Sequence, residues 1–334
     1  MPAMAPFDGP SAGSRNWPEL GILDFLPVGP AEDPASTLRA TIDTAVLADR
    51  LGFRRYWIAE HWASGVATPS PEVLAPVIAG LTGRILVGPA GVLLRFYSPL
   101  KVAANALLAE AVFPGRTELG LARGGASPDV ARALRATGDQ AIADAAAPPY
   151  DDKVAEVQAY LEDRGPVSAY LRAVAPPELW ILGTGGDSAS LAARLGASFA
   201  LSLFHRPTMP DPVAVDRAYR DAFRPSSLRG APRTCIAIAG ACSDTDTDAR
   251  RIAAAYPNIF VWPTIVGTPD HWANELGSLA RRFAADDVVV LDLSQRLEDR
   301  FRTLELLART FGDAKPAHAG SRRVRQPAPG TGDR

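Results

Sequence analysis

The chain of 334 residues predicts a (β/α)8 barrel. Three observations point there. Short apolar runs alternate with helix-length segments about eight times over roughly 290 residues. The helical segments tend to open at Pro or Ser, and the first closes at Gly, as helix boundaries do. No linker-like change of composition divides the middle. One barrel domain is therefore expected over 19–311, after a loose extension at 1–18 and before a disordered basic tail at 312–334 with Arg322, Arg323 and Arg325. A doubly wound sheet is the competing arrangement.

The first strand is expected at 20–25, ended by Pro27 and Gly29-Pro30. Pro34 and Ser36 open a helix over 37–51, with Leu38, Ile42, Ala45, Val46 and Asp49 marking a mixed face, and Gly52 stops it. The second strand, 56–59, is short, aromatic and apolar. A helix over 70–81 has Pro71 in its first turn, and a strand at 84–91 and a helix at 99–112 follow. The fourth strand, 117–121, runs into Ala122-Arg123-Gly124-Gly125. Residues 126–151 are the least patterned part and read as an insertion or lid. A helix at 152–163, a strand at 179–183, a helix at 188–195, a strand at 198–203 and a helix near 213–223 continue the alternation. Strands at 234–241 and 287–293 complete it, with helices at 246–256, 269–283 and 297–311.

Composition narrows the function classes. Hydrophobic content of 47% supplies a core, and 22% charged residues is ordinary. A net charge of −2 gives no electrostatic case for nucleic acid or an anionic membrane. No apolar run approaches a membrane span, and the start lacks a signal-peptide pattern, so a cytoplasmic location is expected. Cys235 and Cys242 have no companions at metal-ligand spacing, and no metal site is expected; both read as reduced and structural.

Four strand ends carry sequence suited to one site, and chemistry in such folds sits at the carboxyl ends of the strands. The second strand ends in Glu60-His61. The third ends in Pro89-Ala90-Gly91, where small residues let something planar lie against the backbone. The fourth ends in Arg123, a fork for a phosphate. The fifth ends in Gly183-Thr184-Gly185-Gly186-Asp187-Ser188 before a helix, a turn that offers backbone N–H groups and a positive helix end to an anion. No G-x-x-x-x-G-K-[ST] loop is present, which argues against nucleoside triphosphates. Together the four ends favour a flat, phosphorylated cofactor.

The segments LGILDFLPV, RYWIAEHW, VGPAGVLLRFYSPLKVAA, FPGRTELGLARG, WILGTGGDSASLAARLGASFA and IVGTPDHW, in that order, resemble the luciferase-like, flavin-dependent monooxygenases of bacteria over about 20–309. The resemblance implies a (β/α)8 barrel, reduced FMN as a substrate, and molecular oxygen activated as a flavin hydroperoxide to oxygenate a small molecule. It also implies a separate flavin reductase as partner, and a homodimer formed through the helices near 70–81 and 99–112. His61 falls on the family's catalytic histidine, Arg123 on the arginine that contacts flavin phosphate, and Gly183, Thr184, Gly185, Gly186 and Ser188 on the phosphate loop. Ala90 and Gly91 fall where these enzymes carry a non-prolyl cis peptide under the flavin ring.

Trp62 stands where many relatives have a second histidine, Ala122 where luciferase has a reactive cysteine, and Arg95-Phe96 where relatives often have Pro-His. The 126–150 stretch and His205-Arg206-Pro207 are also particular to this chain. These departures weaken the case for aldehyde oxidation with light emission and leave the flavin-site residues in place. Glu60 reads either as holding one His61 tautomer or as lining the pocket. His205 reads as substrate-facing or as a loop end, His271 as surface, and Trp57 and Trp180 as core. A deazaflavin-dependent oxidoreductase on the same barrel, and a flavin-binding protein without catalysis, are the alternatives to an oxygenase.

Overall fold

Strand and helix alternate along the chain in the computed structural model, which describes residues 17–28, 33–62, 65–67, 70–134, 148–169, 174–205, 211–256 and 261–312. The strands are β1 (Glu19–Asp24), β2 (Arg55–Ile58), β3 (Leu86–Pro89), β4 (Val92–Leu93), β5 (Glu118–Ala122), β6 (Glu178–Gly183), β7 (Ser198–Ser202), β8 (Thr234–Cys242), β9 (Ile265–Gly267) and β10 (Asp287–Asp292). The helices, in chain order, are α1 (Pro34–Leu51), α2 (Pro71–Leu81), α3 (Pro99–Val112), α4 (Pro128–Leu134), α5 (Tyr150–Leu161), α6 (Gly186–Leu195), α7 (Pro212–Ala222), α8 (Asp246–Ala255), α9 (Pro269–Phe283) and α10 (Leu297–Phe311).

The pairs run β3-β2-β1-β10-β8-β7-β6-β5-β4, all parallel, with β9 added beside β8. β3 and β4 are two halves of one barrel strand: β3 pairs with β2, and β4 with β5. A parallel bridge between Val87 and Thr117 joins β3 to the start of β5. The ring is an eight-stranded barrel, and the doubly wound alternative is set aside. Parallel strands under a helix layer are buried on both faces, so they read as continuous apolar runs. Ile22, Tyr56, Leu119, Ile181 and Val288 face the helices, while Leu23, Trp57, Trp180, Ala200 and Val289 face the barrel interior.

Several expectations are corrected. The third strand is interrupted at Ala90-Gly91, and β9 is an unforeseen tenth segment. A helix, α4, lies in the stretch read as unpatterned, and α5 begins at Tyr150 rather than Asp152. Residues 135–147 of that stretch, 1–16 of the extension and 313–334 of the tail lie outside the described residues. On α1 the buried positions are Thr37, Thr41, Thr44, Ala45 and Ala48, whereas Leu38, Ile42 and Val46 are half-buried. Two of the threonine hydroxyls find partners inside: Thr41 donates to buried Asp24 at 3.0 Å and Thr44 to the Ala40 carbonyl at 2.6 Å.

Charge fills the barrel floor. Arg55, fully buried, pairs with Glu118 at 3.1 Å and with Asp287 at 2.6 Å, and its guanidinium lies 5.1 Å from the ring centroids of both Trp57 and Trp180. Both indole N–H groups donate to Glu118, at 2.7 and 3.3 Å. Gly21 on β1 makes room, because a Cβ there would overlap the Arg55 stem. Trp57 and Trp180 are thus core residues, as expected. Towards the strand ends the interior is lined by small residues, among them Ala59, Ala90, Ala200, Ala239 and Ala241.

Candidate functional site at the carboxyl ends of the strands

His61 follows β2, and its ring lies 4.5 Å from that of Phe25, which follows β1. Its Nδ1 is buried and has no hydrogen-bond partner among the described residues. Burial, with a smaller contribution from the like charge of His205, lowers its pKa to about 4. The imidazole is neutral at physiological pH.

Glu60, adjacent in sequence, is buried and faces elsewhere. Its carboxylate accepts from the Leu93 backbone N–H at 2.9 Å, the Tyr97 hydroxyl at 2.5 Å and the Trp62 indole at 2.7 Å. It ties the end of β2 to β4 and to the 3₁₀ turn Leu94–Phe96. No hydrogen bond between Glu60 and His61 is present. Trp62, in the place of a second histidine, belongs to this Glu60 network, and Arg95 lies over Phe96 on the same turn.

Ala90-Gly91 is a cis peptide, as the resemblance implied. Around it the walls of β3 and β5 come unusually close. A Cβ at Gly91 would stand 2.8 Å from the Gly120 carbonyl oxygen, and one at Gly120 would stand 2.5 Å from the Pro89 oxygen. Glycines here let the two strands touch beside the cis peptide.

Arg123 follows β5. Since Leu121 pairs with Ile181, Arg123 falls alongside Gly183 at the end of β6. The glycine turn there is shorter than expected: α6 already starts at Gly186, capped by Gly185 with no side-chain hydrogen bond. Its first N–H groups carry no side-chain cap, and Thr184 and Gly186 are exposed. Ser188 packs directly against Gly183, where a Cβ would overlap it. Arg123 lies 5.1 Å from the Tyr150 ring and 3.5 Å from the Asp151 carboxylate, which also pairs with Arg194 at 3.3 Å. An arginine alongside the strand that leads into an uncapped helix end fits a group carrying a phosphate.

The reading of the sequence left His205 as substrate-facing or a loop end, and it missed Phe204, Ser202, Tyr150 and Asp151. Phe204 and His205, just past β7, come to the barrel mouth near His61, where Phe25 lies 5.7 Å from Phe204 and Phe204 lies 4.6 Å from His205. Ser202 Oγ and His205 Nδ1 share a hydrogen bond at 2.7 Å. Tyr150 and Asp151 reach Arg123 from α5. Of the two readings of His205, the structure places it at the mouth, just beyond a strand end as His61 is. His271 is exposed, as expected. A separate cavity of about 170 Å³ lies against α2, α3, β3 and β5; Tyr97 of the Glu60 network lines it, whereas His61, Arg123 and His205 do not.

A profile of the luciferase-like monooxygenases matches residues 19–288. YwcH of Bacillus subtilis (strain 168) is 30% identical over 336 residues, covering 88% of this chain and 99% of its own. The crystal structure of apo-MsnO8 matches with a TM-score of 0.79 and 32% identity, over 90% of this chain and 99% of that one. The oxygenating constituent of 3,6-diketocamphane monooxygenase from Pseudomonas putida, a type II Baeyer–Villiger enzyme solved with FMN, shares the fold at a TM-score of 0.65 and 18% identity, over 88% and 98%. The chain belongs to the luciferase-like monooxygenase family and is a flavin-dependent monooxygenase.

Proposed function

We propose that this monooxygenase takes reduced FMN and molecular oxygen to oxygenate an organic small molecule, with the reduced flavin delivered by a separate flavin reductase. The observation that carries the reading is the pairing of two features on neighbouring strand ends. Arg123 follows β5 alongside Gly183, which leads into the uncapped start of α6, and Gly91 and Gly120 pack against each other beside the cis peptide. Arg123 and the first N–H groups of α6, with Thr184 and Ser188, hold the phosphate. Ala90 and Gly91 support the ring. When bound, the reduced flavin supplies the electrons that activate oxygen.

His61 works from across the mouth. As a neutral imidazole it takes or gives one proton, and the Phe25 ring beside it, backed by Phe204, keeps water out. Glu60 holds the β2 end in place through three hydrogen bonds, a positioning role. The enzyme works as a cytoplasmic homodimer joined through α2 and α3, whose outer faces expose Val73, Val77, Leu81, Leu108 and Val112. No described helix is long and apolar enough to cross a membrane.

Anaerobic binding of reduced FMN, riboflavin and a deazaflavin, with wild type and Arg123→Ala, tests the reading. Loss of the arginine should weaken FMN by about 1.5–3 kcal/mol, the worth of a charge-assisted hydrogen bond, and riboflavin hardly at all. Equal losses would remove Arg123 from the phosphate site. Tighter binding of the deazaflavin than of FMN would move the enzyme to hydride transfer without oxygen.

A further inference from the structure

Two imidazoles stand at the barrel mouth on strands from opposite walls. His61 follows β2 and His205 follows β7, and these strands are four places apart either way around the eight-membered ring. Between them lie Phe25 and Phe204, so the rings run His61, Phe25, Phe204, His205 at centroid spacings of 4.5, 5.7 and 4.6 Å. Ser202 restrains His205 through Nδ1. His61 keeps a buried Nδ1 without a partner among the described residues.

The carboxylates at the neighbouring strand ends have other partners, except that Asp292 Oδ2 has no hydrogen bond and only a 3.9 Å contact with Arg300. Glu60 is taken by Leu93, Tyr97 and Trp62. Asp24, at the end of β1, is taken by Thr41, Tyr56, Arg300 and the Leu26 N–H. Asp292, at the end of β10, accepts from Ser294. Among the described residues no carboxylate is hydrogen-bonded or ion-paired to either imidazole. A proton placed on one ring therefore has no counter-charge bonded to it among the described residues, and it opposes a proton on the other.

We propose that His205 is a second acid–base residue of the site, and that His61 and His205 together take up one proton when a bound ligand brings an anionic oxygen, such as a phenolate, to the mouth. The inference rests on His61 belonging to the site. Burial lowers the proton affinity of both rings, and the effect of His205 on His61 has the sign that coupling requires. The missing counter-charge then makes protonation conditional on the ligand. An acidic hydroxyl is the substrate feature this arrangement selects.

The chain holds four histidines, so imidazole NMR on the intact protein resolves them, with assignments from single His→Gln variants. In wild type each of the two rings should report both protonation steps, as coupled groups do. His205→Gln should raise the His61 midpoint by about half a pH unit or more, roughly threefold in proton affinity, and leave His271 and His318 unmoved. Addition of 4-nitrophenol should shift the wild-type pair towards the protonated form, with uptake of one proton, and 4-nitroanisole should not. Independent single-step titrations, or equal responses to the phenol and its methyl ether, would overturn the proposal. The wild-type measurement stands even if a variant fails to fold. The FMN reading fails separately, through the Arg123→Ala binding comparison.

Discussion

His61 combines burial with a missing partner, and the two have different consequences. Burial keeps it neutral, which suits proton transfer near pH 7. His61→Ala should leave flavin binding nearly unchanged and lower product formation about 100-fold or more, measured as product per flavin oxidised. The same burial makes the fold acid-sensitive. The unfolded histidine titrates near 6.5 and the folded one at about 4, so between those values the unfolded chain binds more protons. Stability tied to this group is therefore intact above about 6.5 and is lost as pH falls towards 4. The loss is on the order of 3 kcal/mol, at about 1.4 kcal/mol per pH unit. His61→Gln should narrow the gap in unfolding free energy between pH 7 and pH 4.5 in urea titrations. An unchanged gap would place the ring in solvent.

Among the elements, the β6–α6 turn shows how closely a cofactor site is tied to packing. Ser188 lies in the first turn of α6 and occupies the space that any side chain at 183 would need. Gly183→Ala should cost about 1–3 kcal/mol, the usual scale for overpacking. It should also displace the helix start, so FMN affinity should fall more than riboflavin affinity. An affinity loss shared equally by both ligands would show that the turn supports the ring and not the phosphate. The bend between β3 and β4 obeys the same logic: Gly88, Gly91 and Gly120 allow the strands to touch where side chains would hold them apart.

At the scale of the whole molecule, the floor and the outer face determine what the barrel tolerates. Arg55, Glu118 and Asp287 are each desolvated, and each depends on the others. Glu118→Ala would leave Arg55 short of a partner and free both indole N–H groups, so a loss of about 3–5 kcal/mol is expected by thermal unfolding. Outside, Val73, Val77 and Leu81 recur every four residues on α2, and Leu108 and Val112 do so on α3. Charges at Val77 and Leu108, as a double change to Asp, should convert a dimer to a monomer in sedimentation equilibrium while the barrel stays folded. A wild-type monomer would end that assignment.

The barrel was legible because its rules are local. Parallel strands buried on both faces appear as apolar runs, Pro71, Pro99 and Pro269 mark helix starts, and Gly52 ends α1 in a left-handed conformation that glycine adopts freely. The glycine turn before α6 and the polar residues after β2 and β5 announced themselves in the same way, by type and position along one strand. What the chain order could not express was which strand ends face each other. Glu60 finds its partners 33 and 37 residues away, at Leu93 and Tyr97. Thr41, rather than Leu38, turns inward because Asp24 waits on a neighbouring strand. His205 and His61 share one mouth, with Phe25 and Phe204 between them, because closing eight strands into a ring sets β7 opposite β2. Strand identity is a property of a few consecutive residues, whereas contact across the mouth is a property of closure, and closure exists only in the tertiary structure.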